Sequence, residues 1–139
     1  MYVQPYLFFN GCCDEALEFY EEALGAEVLM VMRYKESPEP RDPKMVTPEM
    51  GDKVMHACFR VGETEVLASD GHCTGSTNFQ GFSLSITMHS GGDADRIFDA
   101  LADSGQVAMP LTQTFYSPKF GMVTDKFGIL WMIMVATKD

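Results

Sequence analysis

Two side chains in the first half of the chain have types and positions suited to acid–base chemistry. His56 begins an otherwise apolar segment, and strand alternation places it on the same face as Cys58 and Arg60. It is a candidate catalytic base or ligand contact, because an imidazole exchanges protons near neutral pH; the alternative is a structural histidine that hydrogen-bonds across strands. Asp70 ends an apolar segment and is either an acid in a pocket or a cap for the turn that it makes with Gly71.

Several aromatic and histidine side chains are further candidates for ligand contact. Trp131 lies in an apolar run and suits either a core or a pocket wall with its N–H directed at a ligand. Phe115 and Tyr116 are predicted at the end of a strand, where they would close the rim of a pocket. His72 either contributes a ligand from a Gly-rich segment or lies on the surface, and His89 is expected to be exposed.

The four cysteines, Cys12, Cys13, Cys58 and Cys73, do not have the CxxC spacing. Without an export signal, all four are interpreted as reduced thiols. Cys12 or Cys13 is a candidate catalytic thiol at a loop-to-helix junction, because a helix N-terminus stabilises a thiolate. The alternative is that both are small packing residues.

The composition limits the classes of partner. The net charge of −10 repels phosphate backbones and anionic lipid surfaces, so neither nucleic acid nor a membrane is expected. No apolar run approaches the ~20 residues that span a bilayer. The N-terminus has no basic region followed by an apolar stretch, so we expect a cytoplasmic protein. The 11 methionines indicate either a soft core or the wall of a ligand cavity.

The elements that must position these residues follow a pattern that occurs twice. Gly25 and Gly105 are expected to end the two helices, and Asp93 to cap the start of the second. A Pro-rich segment over 37–48 is either a binding loop or a solvated connector. The first copy is predicted as a strand over 2–9, a helix over 14–25 and strands over 26–35, 54–61 and 64–69; the second as a strand over 81–88, a helix over 93–105 and strands over 107–115, 121–124 and 129–135.

This order predicts a single α+β domain made of two βαβββ modules. The modules span about 1–72 and 79–139 and are joined by a Gly/Ser-rich linker. Helices that pack on a mixed sheet cover one of its faces. The opposite face is then free to hold a ligand.

The same residues resemble the PhnB-like branch of the glyoxalase/bleomycin-resistance/dioxygenase superfamily, also called vicinal oxygen chelate proteins. The matching segments are Pro5-Tyr-Leu-Phe-Phe-Asn-Gly11, Ala16-Leu-Glu-Phe-Tyr20, Phe120 to Gly128 and Trp131-Met-Ile133. The resemblance implies that the two modules form a cupped mixed sheet and that the protein is a homodimer. It also implies a divalent metal in the relatives that use one, held by His, Gln or Glu on the first and last strands of each module.

The metal ligands implied by the resemblance are incomplete in this chain. Gln4 falls at the first position, and Asp70 is the carboxylate nearest to the second. The third position, within 81–83, has no His, and the fourth, within 130–132, has no Glu. A transition-metal site needs about three protein ligands, so the usual site is predicted to be absent.

The most favoured function is therefore the binding of a small, largely apolar or aromatic molecule in the cup. The alternative is a metal-dependent lyase, isomerase or dioxygenase with a non-standard site around Gln4, His56 and Asp70. A phosphonate ligand is a weaker alternative, since Arg60 and Lys119 are the only cations expected nearby.

Some members of the branch have been described as methyltransferases, but this chain has no Gly-rich strand-to-helix loop for a methyl donor. The candidate ligand-binding residues are Gln4, Tyr6, His56, Asp70, Phe115 and Trp131.

Overall fold

A computed structural model describes residues 1–37, 48–71 and 77–137. The chain divides into two structural units, Met1–Thr77 and Asn78–Asp139. Each unit contains one α-helix and one four-stranded mixed sheet. The predicted Pro-rich loop lies largely outside the described residues, as do His72 and Cys73.

The first unit follows the predicted βαβββ order. Its sheet has the order β1-β4-β3-β2, with β1 parallel to β4 and the other pairs antiparallel. Two short 3₁₀ helices, Tyr34–Glu36 and Pro48–Met50, follow β2 and precede β3. The elements are β1 (Tyr6–Phe8), α1 (Cys13–Leu24), β2 (Glu27–Arg33), β3 (Val54–Val61) and β4 (Thr64–Ser69).

The second unit repeats the topology of the first. Its sheet has the order β5-β8-β7-β6, again with one parallel pair, β5 with β8, and two antiparallel pairs. The repeated α+β module is thereby confirmed. The elements are β5 (Leu84–Met88), α2 (Gly91–Ala102), β6 (Gln106–Thr112), β7 (Phe120–Thr124) and β8 (Leu130–Val135).

The repeat extends to an irregularity in the strand pairing. The register between β2 and β3 shifts between Val28 and Met30. The register between β6 and β7 shifts between Val107 and Met109, at the corresponding place in the second sheet. Each shift lies in the strand at the outer edge of its sheet.

Helix α1 covers one face of the first sheet. Its buried side chains recur at helical spacing, and Tyr20 stacks on Phe59 of β3 with ring centroids 5.7 Å apart. Gly25 ends the helix in the left-handed conformation at φ 67°, as predicted. Because Phe59 faces the helix, the alternate residues Cys58 and Arg60 lie on the opposite face.

Helix α2 covers one face of the second sheet, and its start differs from the prediction. Ser90, not Asp93, is the N-cap: its hydroxyl accepts the backbone N–H of Asp93 at 3.3 Å. A Cβ placed on Gly121 would lie 2.9 Å from the Phe98 ring, so this face of β7 is in close contact with α2. Residues on either side of Gly121 therefore point to the uncovered face.

Candidate functional site

The face of the first sheet opposite α1 carries a continuous group of apolar and aromatic side chains, which we call the first open face. Strand pairing sets Tyr6 beside Leu67, Leu67 beside Cys58, and Cys58 beside Met30. Three of its large side chains are exposed: Tyr6 to 38%, Phe8 to 53% and Met30 to 40%. The first open face consists of Tyr6, Phe8, Met30, Met32, His56, Cys58 and Leu67.

Tyr6 and His56 are in direct contact on the first open face. The Tyr6 hydroxyl and His56 Nδ1 share a hydrogen bond of 3.1 Å, and the ring centroids are 5.7 Å apart. The Tyr6 ring also lies 4.9 Å from the Phe8 ring. These contacts form a three-ring cluster with one polar pair inside an otherwise apolar surface.

A row of charged residues borders the first open face. Arg60 pairs in register with Glu27 on one side and Glu65 on the other, and its guanidinium forms an ion pair with the Glu27 carboxylate. Cys58 Sγ lies 3.8 Å from the Glu65 carboxylate. Burial raises the pKa of the Cys58 thiol, and the Glu65 charge raises that pKa further.

Asp70 serves the scaffold of the first unit. It is 1% exposed, and its Oδ1 accepts the backbone N–H groups of Gly11 at 2.8 Å and Cys13 at 2.9 Å. Its Oδ2 accepts the N–H of Val54 at 2.8 Å. The carboxylate is thus directed at the start of α1, on the side of the sheet that the helix covers. The predicted cap of the turn at Gly71 is supplied by a different residue, because the Gly71 N–H donates to Ser69 Oγ at 3.1 Å. The Asp70 carboxylate instead holds Gly11, Cys13 and Val54.

The residues of the non-standard metal site do not converge. His56 lies on the first open face, whereas Asp70 is directed at α1 and Gln4 Nε2 donates to the Glu65 carbonyl at 3.5 Å. Across the described ranges, no group of three or more His, Cys, Asp or Glu side chains is placed to hold a metal ion. The donor set around Gln4, His56 and Asp70 therefore does not fit a divalent metal.

Trp131 is a buried residue of the second unit. It is 2% exposed, and its indole Nε1–H donates to Asp125 Oδ2 at 2.8 Å. The other Asp125 oxygen accepts the N–H groups of Phe127 and Ile129 at 2.8 and 3.1 Å. The indole N–H is therefore directed at the turn between β7 and β8. Asp125 organises that turn through these three contacts.

Phe115 and Tyr116 lie in a turn, because β6 ends at Thr112 and not at 115 as predicted. The Thr114 hydroxyl accepts the N–H of Ser117 at 3.0 Å, and Ser117 Oγ donates to the Val135 carbonyl at 2.6 Å. Phe115 is 98% exposed at the tip of this turn. It is thus displayed by a hydrogen-bonded loop of the second unit.

The uncovered face of the second sheet is rich in methionine. Pairing sets Met132 beside Met122, and Met122 beside Met109, on three neighbouring strands. Met134 pairs with Phe120 one step along the same strands. The alternation of Met132 and Met134 in the sequence was the local signal for this face, but the pairing with Met109 and Met122 required the fold.

The two cysteines before and at the start of α1 differ in exposure. Cys13 is fully buried, and Cys12 is half-buried. Burial raises the pKa of the Cys13 thiol well above its usual range, and the charges of Asp70 and Asp14 raise it further. The Cys13 thiol is therefore a packing group held in its protonated form.

The cations considered for an anionic ligand have partners. Arg60 pairs with Glu27, and Lys119 Nζ lies 2.7 Å from the Asp95 carboxylate.

None of the helices among the described residues has the length and apolar character of a membrane-spanning segment.

Comparison with known sequences identifies the family. The family model described as 3-demethylubiquinone-9 3-methyltransferase matches residues 2–134. Protein YjdN of Escherichia coli (strain K12) is 34% identical over 144 residues, covering 100% of this chain and 98% of that protein. The match therefore extends over both modules.

Solved structures share the fold along the whole chain. Protein PA1353 from Pseudomonas aeruginosa has 39% identity and a TM-score of 0.84, with 99% of each chain covered. The PhnB protein from Bacillus cereus has 28% identity and a TM-score of 0.79, covering 98% of this chain and 100% of that one. A glyoxylase/bleomycin resistance protein/dioxygenase domain from Frankia sp. EAN1pec has the same fold at 17% identity, a TM-score of 0.66 and coverage of 98% and 95%. The chain belongs to the PhnB-like family described by this model, and it has the fold of the glyoxalase/bleomycin-resistance/dioxygenase proteins.

Proposed function

We propose that the protein binds a small, largely apolar or aromatic molecule on the first open face. The observation that carries the proposal is the continuous surface formed by Tyr6, Phe8 and Met30, all substantially exposed on a sheet face that α1 does not cover. Contiguous exposed apolar surface rimmed by polar groups is typical of binding sites. The Tyr6–His56 pair supplies the polar contact that would orient a ligand.

The methionines support an adaptable binding surface. Met30 and Met32 pair with Cys58 and His56, so both thioether side chains border the aromatic cluster. An unbranched thioether side chain can repack around ligands of different shape. The proposed ligand is accordingly defined by apolar surface and ring stacking.

A neutral aromatic probe tests this proposal. The protein is labelled with ¹³C at the methionine methyl groups, and naphthylmethanol is titrated while methyl spectra are recorded. We expect the signals of Met30 and Met32 to shift, and the signal of Met50, which is 8% exposed elsewhere in the unit, to stay in place. Met→Leu variants assign the signals. Unchanged Met30 and Met32 signals at millimolar probe would contradict the proposal.

A pair of variants distinguishes ring stacking on the first open face from nonspecific apolar binding. Phe8→Ser removes an aromatic ring from the first open face, and Phe115→Ser removes the most exposed ring of the second unit. We expect the first change to weaken naphthylmethanol binding by about tenfold, because roughly 1–2 kcal/mol of apolar contact is lost. Phe115→Ser is expected to leave the Met30 and Met32 titration unchanged.

A second candidate function is an enzyme that uses the Tyr6–His56 pair. A tyrosine hydroxyl bonded to a histidine on an open surface is an arrangement that acid–base catalysis uses. Because Gln4, His56 and Asp70 do not converge, we expect elemental analysis of protein purified without chelator to find no near-stoichiometric metal that Gln4→Ala or His56→Ala removes. Near-stoichiometric metal that either variant loses would favour the enzyme over the binding protein.

Methyl transfer is not part of the proposal. The sequence has no Gly-rich strand-to-helix loop of the kind that binds a methyl donor, and the turn between β1 and α1 directs the Gly11 N–H to Asp70.

A homodimer and a cytoplasmic location stay predictions from the sequence and the family resemblance. Sedimentation velocity would measure the first, and fractionation of cells would measure the second.

A further inference from the structure

We infer that the ligand of the first open face is an aromatic or hydrophobic molecule that carries a positive charge, such as an amine or a quaternary ammonium group. This inference rests on the proposed function and adds the charge of the ligand to it. It follows from three properties of the first unit: the arrangement of its rings, the charges that border them and the partners of its cations.

The rings of the first open face present π surfaces to solvent. Tyr6 lies between Phe8 and His56, with ring centroids 4.9 and 5.7 Å away. Tyr6 and Phe8 keep 38% and 53% of their surface exposed, so a ligand can contact both side chains. The face of an aromatic ring attracts cations because its quadrupole is negative there.

The charged row beside the rings has an excess of negative charge. Arg60 stands in register between Glu27 and Glu65, so that one cation is placed between two carboxylates. Its guanidinium forms an ion pair with Glu27, and the Glu65 carboxylate is turned toward Cys58 Sγ at 3.8 Å. Because Cys58 lies between Leu67 and Met30, this distance places the Glu65 charge beside the centre of the first open face.

The described Lys and Arg side chains of the first unit are all engaged within it. Arg33 forms a two-point ion pair with Asp14, and Lys35 pairs with Asp52 at 2.6 Å. Lys53 donates to the Gly11 carbonyl at 3.0 Å, and Arg60 pairs with Glu27. An anionic ligand that paired with one of these four described side chains would have to displace its partner, whereas a cationic ligand would not. The net charge of −10 of the chain also favours a cationic ligand over an anionic one.

Three probes with one ring system measure the preference. Naphthylmethylammonium, naphthylmethanol and naphthoate are titrated at neutral pH and low salt against the full chain, with the Met30 and Met32 methyl signals as the readout. We expect the ammonium probe to bind about three- to tenfold more tightly than the alcohol. The carboxylate is expected to bind more weakly than the alcohol, and added salt is expected to reduce both differences.

A matched pair of charge variants locates the source of the preference. Glu65→Gln removes the carboxylate beside Cys58, and Glu63→Gln removes one from the turn between β3 and β4. We expect Glu65→Gln to reduce the ratio of ammonium to alcohol affinity by at least twofold more than Glu63→Gln does. Equal effects of the two variants would overturn the role of Glu65.

The outcomes distinguish this inference from the proposed function. Tightest binding of the ammonium probe supports both. Equal binding of the three probes, or tighter binding of naphthoate, overturns the preference for a cation and leaves the binding function standing. Absence of Met30 and Met32 shifts with every probe overturns the proposed function itself.

Discussion

Asp70 Oδ1 accepts the backbone N–H of Cys13 at 2.9 Å, and this contact joins the end of β4 to the first residue of α1. The same carboxylate also holds Gly11 and Val54, so one buried side chain fixes three separate segments of the first unit. A carboxylate that accepts three backbone N–H groups needs no further partner in a pocket.

Replacing Asp70 with Ala should therefore destabilise the protein strongly. The change leaves two buried N–H groups and one half-buried N–H group without their acceptor, and we expect a loss of about 3–5 kcal/mol in the free energy of unfolding. Urea denaturation followed by circular dichroism measures it. Glu18→Ala, an exposed change in the middle of α1, should alter stability by less than about 0.5 kcal/mol. A stable Asp70→Ala protein would contradict the structural role.

Trp131 and Asp125 should behave as a coupled pair. Trp131→Phe removes the N–H that Asp125 Oδ2 accepts, and we expect a cost of about 2–3 kcal/mol. Asp125→Asn should cost a similar amount, and the double variant less than the sum, because the same hydrogen bond is lost once. Chemical denaturation of the four proteins gives the coupling energy. Strict additivity would show that the contact contributes nothing.

The thiols of Cys13 and Cys58 should respond differently to alkylation. Cys13 is buried with a strongly raised pKa, so it should react with iodoacetamide only after unfolding. The pKa of Cys58 is raised by burial and by the Glu65 charge. Glu65→Gln should lower that pKa, increase the thiolate fraction at mildly alkaline pH and accelerate labelling of Cys58 by about twofold or more.

Mass spectrometry after timed labelling follows each cysteine separately. Glu63→Gln serves as the charge-matched control and should leave the Cys58 rate nearly unchanged. A slower Cys58 reaction in Glu65→Gln would have the wrong sign for the electrostatic explanation. Rapid labelling of Cys13 in the folded protein would contradict its burial.

Gly105 should not tolerate a side chain. A Cβ at this position would overlap the Thr124 carbonyl oxygen, a backbone atom that cannot move alone. We expect Gly105→Ala to cost about 3 kcal/mol, because the turn between α2 and β6 would have to move away from the end of β7. Gly62→Ala is the comparison: nothing lies within 4 Å, and only its φ of +58° is unfavourable, so the cost should be about 1 kcal/mol. Thermal unfolding of both variants tests the difference.

The element order could be predicted from the sequence because its signals are local. Periodic apolar residues identified α1, and Gly25 marked its end. The start of α2 was predicted one turn too far along, since Asp93 and Ser90 are both good capping residues and only the backbone decides between them.

Less of the candidate site than of the element order could be predicted from the sequence. Alternation correctly placed His56, Cys58 and Arg60 on one face of β3. The role of Asp70 was harder to foresee, because its partners Gly11 and Cys13 lie 59 and 57 residues away in the chain. Likewise, the contact between Tyr6 and His56 crosses strands that the sequence separates by 50 residues. Such contacts depend on tertiary pairing.

The register shifts in β2 and β6 bear on how the folded protein behaves when it is concentrated. An edge strand exposes a row of unpaired backbone groups onto which a strand of another molecule can add. A bulge interrupts that row and increases the local twist, and Pro110 removes a further donor from β6. The β2 and β6 edges are therefore poor templates for sheet extension by another molecule.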